Sequence, residues 1–375
     1  DINSSENQFY IPLASDPACI IHTSGTTGHP KGAVLSQSAL YGIADTISTD
    51  ADIQSDDYGL LMQPLFHVGA KFLQLAHHIR GATIKLELGF EPANVWRILA
   101  RENITTMQLV PTMLDILLDE IKDGNYPQTK LKTIFYSTAP IRESLLRRGL
   151  EVFGQVFVQQ YGSTEGGQIT SLAKHHHIND GSEKEQKWLP SAGTANPGVD
   201  ISIVNNEGVV LAAGEPGEII VKHSNIMQGY WNDIDSTAST IVNGYLHMGD
   251  IGYLDEEGFL YIVDRKKDMI ISGGENIYPR EVEAALIQHP AVSETAVIGI
   301  PDERWGEAVL AFVVCKENET VSENDLIQYC KQQIASYKKP GAIKYLDALP
   351  RIATGKVDKV SLRRPYWQKN KGNLI

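Results

Sequence analysis

Positive charge is scarce in this sequence, cysteine scarcer still, and a long apolar run is absent. Only 33 Lys and Arg stand against 46 Asp and Glu, a formal net charge of −13. No global field therefore draws the chain to nucleic acid or anionic lipid, and any anionic ligand needs a local site. The three cysteines, Cys19, Cys315 and Cys330, are odd in number and lack CxxC spacing. That argues against a disulfide framework and a structural zinc site, and fits a reducing, cytoplasmic compartment. Apolar stretches are of strand length, short of the roughly 20 residues that a membrane-crossing helix needs. The chain opens DINSSENQFY, with neither an initiator Met nor the basic-then-apolar plan of a signal peptide, and the expectation is that the start of its first domain is missing.

What is present is ordinary globular material: 375 residues, 42% hydrophobic and 21% charged, with 32 Gly and 17 Pro. This length suits two or three compact units. Between Glu91 and Gln160 the pattern alternates. Residues 94–103 read as helix, 104–110 as strand, 112–124 as amphipathic helix, 131–137 as strand and 140–154 as helix with Pro140 in its first turn. This α/β rhythm predicts a mostly parallel sheet with helices on its faces, and a site on βα loops at the carboxyl ends of its strands.

From Val199 to Val263 short β-rich runs separated by NNEG, AAGEPG and DEEG predict an antiparallel segment. Past the charged knot Asp264-Arg265-Lys266-Lys267-Asp268 the chain reads strand, helix from Pro279, two strands ending near Val314, and a helix opened by a Ser322/Asp325 capping box. That is a small α+β domain. Residues 336–375 hold ten Lys and Arg against two Asp, a local +8 that reads mainly as a solvated face, with one lysine free to meet a phosphate.

The strongest chemical signal is Ile20-Ile21-His22-Thr23-Ser24-Gly25-Thr26-Thr27-Gly28-His29-Pro30-Lys31-Gly32. Glycines let backbone N–H groups turn toward an anion, Ser and Thr add hydroxyl donors, and Lys31 supplies full charge, so the stretch suits a phosphate. A Walker A loop fails here, because Pro30 falls where its second glycine belongs and Gly32 where its Mg-binding hydroxyl belongs.

The stretch resembles instead the phosphate loop of the adenylate-forming superfamily: acyl-CoA synthetases, luciferases and peptide-synthetase adenylation domains, whose pattern is T-S/G-G-S/T-T-G-x-P-K-G. Further motifs of that family follow in order. Leu65-Phe66-His67-Val68-Gly69 resembles the P-x-x-H-x-x-G neighbourhood beside the acyl pocket, and Tyr161-Gly162-Ser163-Thr164-Glu165 the Y-G-x-T-E segment. Tyr245 to Asp250 resembles W-x-x-T-G-D with Tyr and Met substituted. Asp264 to Asp268 is similar to the hinge region, and Leu349 to Lys356 to the catalytic-lysine motif. Where relatives commonly carry G-A/G-A-P, this chain has Ser137-Thr138-Ala139-Pro140, which puts its adenine contacts there in doubt.

The resemblance implies ATP, Mg²⁺ and coenzyme A. Residues 1–264 would form a large nucleotide- and acyl-binding domain, 265–267 a hinge at Lys267, and 268–375 a small mobile domain. It further implies that Thr23, Ser24, Gly25, Thr26, Thr27, Gly28 and Lys31 hold phosphates, with Ser137, Thr138, Ala139, Tyr161, Gly162 and Ser163 around the adenine. Thr164 would donate to the α-phosphate and Glu165 ligate Mg²⁺. Asp250 and Arg265 would hold the ribose, Lys356 bridge carboxylate and α-phosphate, and Gly273 and Gly274 pass the thiol arm.

His67, Val68, Phe72 and Gln160 are candidates for the acid's pocket, and the expected acid is fatty or aromatic. Two alternatives stand beside the ATP-dependent acyl-CoA synthetase: an enzyme loading a carrier-protein thiol, and a non-catalytic nucleotide-binding remnant. The run His175-His176-His177 reads as a polar loop rather than a metal site, since consecutive side chains do not converge on one ion. Thr164 at the centre of Gly162 to Gly166 excludes a G-x-S-x-G elbow.

Overall fold

The computed structural model describes residues 11–23, 30–122, 124–139, 141–352 and 356–367. The chain divides into two compact units. One is built from residues up to Met248 with Tyr253–Tyr261, the other from Gly249–Gly252 with residue 262 onward.

In the first unit, β1 (Pro17–Thr23), β2 (Lys31–Ser36), α1 (Gln37–Asp50), β3 (Tyr58–Leu61), α2 (Val68–Ile79), β4 (Thr83–Leu86), α3 (Pro92–Arg101), β5 (Thr106–Leu109), α4 (Pro111–Glu120), β6 (Thr133–Tyr136), α5 (Glu143–Phe153), β7 (Phe157–Ser163), β8 (Gly167–Leu172), α6 (Glu183–Gln186) and β9 (Thr194–Ala195) follow in order. Seven of these strands form one sheet in the order β4-β3-β5-β6-β7-β8-β9. Pairing is parallel from β4 through β7 and antiparallel at β8 and β9. The helices begin where sequence chemistry starts them. Pro92 and Pro111 occupy first-turn positions, and the Glu91 carboxylate accepts from the Ala93 and Asn94 N–H groups. Helix α5 departs from expectation: it begins at Glu143 after the extended Arg142, so its first turn lies beyond Pro140, which is outside the described residues.

Strand alternation decides what each face of this sheet meets. Leu60, Met107, Leu109, Ile134, Tyr136 and Phe157 point into an apolar core with Val95, Trp96, Leu99, Leu114, Leu117, Leu145 and Leu146 of α3, α4 and α5. Each such large side chain contributes about 1.5–3 kcal/mol on burial. Trp96 keeps its indole N–H satisfied on the Leu117 carbonyl at 2.8 Å. On the opposite face α2 packs, where the fully buried His77 sets Nε2 2.6 Å from the Thr106 hydroxyl.

The strand order reverses between β3 and β5. β4 lies on one side of β3 and every later strand on the other, so the crevice at the carboxyl ends of β3 and β5 is the topological switch point where α/β sheets take ligands.

A three-stranded sheet β1-β2-β12 uses β12 (Gly229–Tyr230). The antiparallel segment holds β10 (Asp200–Val204), β11 (Gly217–Lys222), α7 (Ile234–Thr240), β13 (Ile241–Val242), β14 (Tyr245–Leu254) and β15 (Leu260–Arg265), paired β10-β11-β14-β13 with β15 on β14.

The second unit continues with β16 (Ile270–Ser272), β17 (Glu275–Ile277), α8 (Pro279–Leu286), β18 (Val292–Asp302), β19 (Gly306–Cys315), α9 (Glu323–Gln333), β20 (Ala342–Tyr345) and α10 (Lys359–Trp367). Its sheet runs β17-β16-β19-β18, with β20 parallel to β19. Ser322 caps α9 by accepting from the Asp325 N–H at 3.1 Å, while the Asp325 carboxylate takes the Ser322 hydroxyl rather than its N–H, so the capping box is half formed. Among the described residues no helix is long and apolar enough to cross a membrane.

His175, His176 and His177 do not form the polar loop expected. Lys174–His176 is a 3₁₀ turn, and His177 is buried. Its Nδ1 donates to the Ala173 carbonyl at 2.9 Å, so its Nε2 accepts from the Tyr136 hydroxyl at 3.0 Å. Among the described residues no cluster of His, Cys, Asp and Glu could hold a metal ion.

Candidate active site

Residues 24–29, which include the expected phosphate donors Ser24, Gly25, Thr26, Thr27 and Gly28, lie outside the described residues, but their frame is clear. Thr23 ends β1 and Lys31 begins β2, and the two pair directly across an antiparallel ladder. The segment therefore joins strand to strand, whereas a Walker A loop joins strand to helix. Lys31 holds its ammonium 5.0 Å from the centre of the Tyr230 ring, a cation–π contact. The Tyr230 hydroxyl donates to Glu165 Oε1 at 2.9 Å. Burial first, and the Glu165 charge second, push the Tyr230 phenol well above its usual pKa, so it stays a donor.

Glu165 sits with Thr164 and Gly166 in the turn from β7 to β8. The sequence placed the site on βα loops. Here the Y-G-S-T-E segment makes a β-hairpin turn instead, because β8 doubles back on β7, and the phosphate segment likewise stands between two antiparallel strands rather than before a helix. The turn tolerates no side chain at Gly162, where a Cβ would stand 1.9 Å from the Gly167 carbonyl oxygen. Ser163 Oγ accepts from the Gly166 N–H at 2.9 Å, and His223 Nε2 donates to the Gly166 carbonyl at 2.9 Å, fixing the turn. The Met227 N–H donates to the Glu165 carbonyl at 2.7 Å and carries the chain on to Tyr230. Tyr161 is half-buried in β7. Tyr230 is the residue that sequence reasoning missed; it lies in the two-residue strand β12, which shows itself only through its pairing with β2.

Glu165 presents hard carboxylate oxygens. Tyr230 engages Oε1, and Oε2 takes no hydrogen bond among the described residues, so the side chain fits one ligand position of a Mg²⁺ ion that takes its others from water and phosphate.

Two expected groups do lie on βα connections. His67 caps α2 after β3, its Nδ1 accepting from the Gly69 N–H at 3.3 Å. Counted along the chain, Ala70 stands where the P-x-x-H-x-x-G pattern sets its glycine, and Gly69 precedes it. The missing Cβ of Gly69 is nevertheless needed, since it would press to 3.2 Å on Gln108 Nε2. Ser137, Thr138 and Ala139 follow β6. Ser137 Oγ accepts from Gln108 Nε2 at 3.2 Å, and Thr138 holds φ at +73°, a left-handed conformation that a β-branched residue avoids.

The second unit gathers Asp250, Arg265, Lys267 and Lys356. Arg265 Nε reaches Asp250 Oδ1 at 2.8 Å, and Asp250 is buried. The Lys356 side chain keeps access to water. Surrounding protein still lowers its pKa by desolvation, with Arg265 and Lys267 adding to the effect and Asp250 opposing it. The Lys356 carbonyl accepts from the Ile352 N–H at 2.9 Å, and Arg351 pairs with Val357, so residues 353–355, outside the described residues, are framed by a short antiparallel bridge. Lys267 lies in the 3₁₀ turn Lys266–Asp268. Gly273 and Gly274, at φ +62° and +87°, form the two-residue turn from β16 to β17. A Cβ on Gly273 would meet Trp305 at 2.8 Å.

Comparison with known proteins places this geometry. The model of the AMP-binding enzyme family matches residues 3–231, and that of the AMP-binding enzyme C-terminal domain matches residues 281–356. The long-chain-fatty-acid–CoA ligase FadD13 of Mycobacterium tuberculosis is 37% identical over 357 residues, which cover 94% of this chain and 68% of that one. The fatty acid–[acyl-carrier-protein] ligase ScoC of Streptomyces coeruleorubidus is also 37% identical, over 94% of this chain and 68% of its own. Among solved structures, o-succinylbenzoate coenzyme A synthetase (MenE) from Bacillus subtilis, in complex with ATP and magnesium, superposes with a TM-score of 0.83 at 36% identity, covering 95% of this chain and 70% of that chain.

Proposed function

This chain belongs to the AMP-binding enzyme family, and from that premise we propose the residue roles by which it works. It is an ATP-dependent acyl-CoA synthetase, an AMP-forming acid–thiol ligase. A carboxylate oxygen attacks the α-phosphorus of ATP and pyrophosphate leaves. The CoA thiol then attacks the acyl-adenylate carbonyl, giving the thioester and AMP.

One observation supports the assignment of residues most directly: Lys31, Tyr230 and Glu165 form a continuous line from the end of the phosphate segment to the Y-G-S-T-E turn. The first step brings two anions together, so catalysis consists of neutralising charge and holding an in-line geometry. The substrate acid, with an ordinary pKa near 4, is already ionised at pH 7 and needs no general base. Thr23, residues 24–28 and Lys31 bind the β- and γ-phosphates, and Thr164 donates to the α-phosphate. Tyr161 covers the adenine beside Ser137, Thr138 and Ala139. Glu165 would hold the Mg²⁺, which when bound neutralises phosphate charge. Asp250 accepts from the ribose hydroxyls, kept in place by Arg265. Lys356 neutralises the carboxylate and the α-phosphate; desolvation first, and the charge of Arg265 second, lower its pKa, and a bound polyphosphate would oppose that shift. A rotation about Lys267 then withdraws it, and Gly273 and Gly274 pass the pantetheine arm.

The 37% identity with ScoC favours a second acceptor for the same chemistry, a carrier-protein thiol. Carboxylate-dependent pyrophosphate exchange tests the first half-reaction, and thioester yield with free CoA against a phosphopantetheinylated carrier protein tests the second. Lys356→Ala is expected to lower adenylation about 10²–10³-fold while sparing thioester formation from supplied acyl-adenylate. Equal loss in both steps removes Lys356 from its role. Absence of exchange with any acid removes the ligase reading.

A further inference from the structure

Among the described residues, seven buried side-chain nitrogen or oxygen atoms lack a hydrogen-bond partner, and four belong to glutamines after β3, near the end of β5 and in the middle of β7: Gln63 Oε1, Gln108 Oε1, Gln159 Oε1 and Gln160 Nε2. Gln108 and Gln160 are 4% and 8% exposed. A buried amide without a partner is costly, and a stable fold retains one chiefly where something else completes it.

Strand alternation sets two of these amides on one face of the sheet, on either side of Ser137. Met107 and Leu109, Ile134 and Tyr136, and Phe157 all enter the apolar core under α3, α4 and α5. Gln108, Ser137 and Gln160 therefore point to the opposite face, the one where Thr106 meets His77 of α2. The register Gln108↔Phe135 and Phe135↔Val158 sets Gln160 one pleat further on, beside Ser137. Gln108 is held rigidly. Its Nε2 donates to Ser137 Oγ at 3.2 Å, its backbone carbonyl accepts from Gln63 Nε2 at 2.7 Å, and its amide rests against Gly69 and the His67 cap. Its Oε1 and the neighbouring Gln63 Oε1 stay unmatched as acceptors, and Gln160 Nε2 stays unmatched as a donor. Gln63 and Gln108 flank the switch point between β3 and β5, and Ser137 after β6 and Gln160 on β7 extend the polar row from it.

We propose that Gln108 and Gln160 recognise a hydroxyl group on the acyl chain, so that the acid this enzyme activates is a hydroxy acid. A hydroxyl accepts from Gln160 Nε2 and donates to Gln108 Oε1 at once. A methylene does neither, and a keto group or second carboxylate accepts only, leaving Gln108 Oε1 against another acceptor. Sites built on buried hydrogen-bonding groups reject the analogue that lacks its partner far more strongly than apolar pockets reject an extra methylene.

The inference rests on the ligase reading for the fate of the acid but not for its binding, and the test separates the two. Calorimetric titration of the intact chain with matched pairs, 4-hydroxyphenylacetate against phenylacetate and 10-hydroxydecanoate against decanoate, is expected to show the hydroxylated member of at least one pair bound about tenfold or more tightly. Gln160→Met and Gln108→Met, each of similar volume, should each cut that preference about tenfold. Gln160→Met should also melt at or above the parent temperature, whereas a glutamine that serves only the fold would lower it on replacement. Preference in binding without acid-dependent pyrophosphate exchange sinks the ligase reading and keeps the hydroxyl site. Equal binding within both pairs, or a preference that survives both substitutions, overturns the hydroxyl site.

Discussion

The two faces of the seven-stranded sheet follow opposite rules. Under α3, α4 and α5 the clustered side chains are apolar and shut from water, and Trp96 has its N–H satisfied; the half-buried Gln159, with Oε1 unmatched, is the exception on this side. Across the sheet Gln108 and Gln160 carry unmatched amide atoms, and Thr138, just past β6, sits at φ +73°. One face makes the fold stable. The other holds groups arranged for something other than stability, and the difference predicts that substitutions on the two faces should be read out by different measurements.

The largest effect belongs to the apolar face. Leu117→Ala, at a fully buried position, is expected to cost about 2–5 kcal/mol in urea unfolding and to leave the KM for ATP unchanged. A change of KM with stability intact would erase the contrast. At the rim, Glu165→Gln keeps an acceptor for Tyr230 but removes the charge; Mg-dependent pyrophosphate exchange should fall about 10²-fold or more with no loss of melting temperature.

His177 sharpens the comparison through pH. Burial lowers its pKa to about 4, helped by its histidine neighbours and opposed by the Ala173 carbonyl. An unfolded histidine titrates near 6.5, so below that pH the unfolded chain takes up a proton that the folded chain refuses. Stability is thus fully present above about pH 6.5 and falls by about 3 kcal/mol by pH 4. Unfolding free energies across that range check it, and His177→Phe should flatten this part of the profile. The smallest effect is a gain: Thr138→Gly relieves the left-handed strain and should add about 1 kcal/mol. A loss would mean that the Thr138 side chain earns its place through contacts.

The alternation of α3, β5, α4, β6 and α5 was legible from period, while the start of α5 was not, since the helix begins at Glu143 rather than in the turn of Pro140. The motif residues were legible as residue types. Their settings were not. Ser163, Thr164 and Glu165 turn into a strand because β8 returns against β7, a choice made by pairing over distance rather than by local propensity. Tyr230 meets Glu165 across 65 residues, and its two-residue strand carries too little period to announce itself. His177 reads as polar in a run of three histidines, yet the cavity beside Tyr136 and Phe157 takes it and leaves His175 outside. Gln160 could be suspected of lining a pocket, but that its amide lacks a partner is a property of the packed sheet alone.

The direct pairing of Thr23 with Lys31 has a consequence for change over time. Both stems of the segment between them form one rung of the ladder, so adding or deleting a residue there changes the length of the connection while the pairing of β1 with β2 holds its ends. In a strand-to-helix loop the same edit would swing the following helix by about 100° per residue. Selection could therefore trim or lengthen this segment while the ladder that carries it stays as it was.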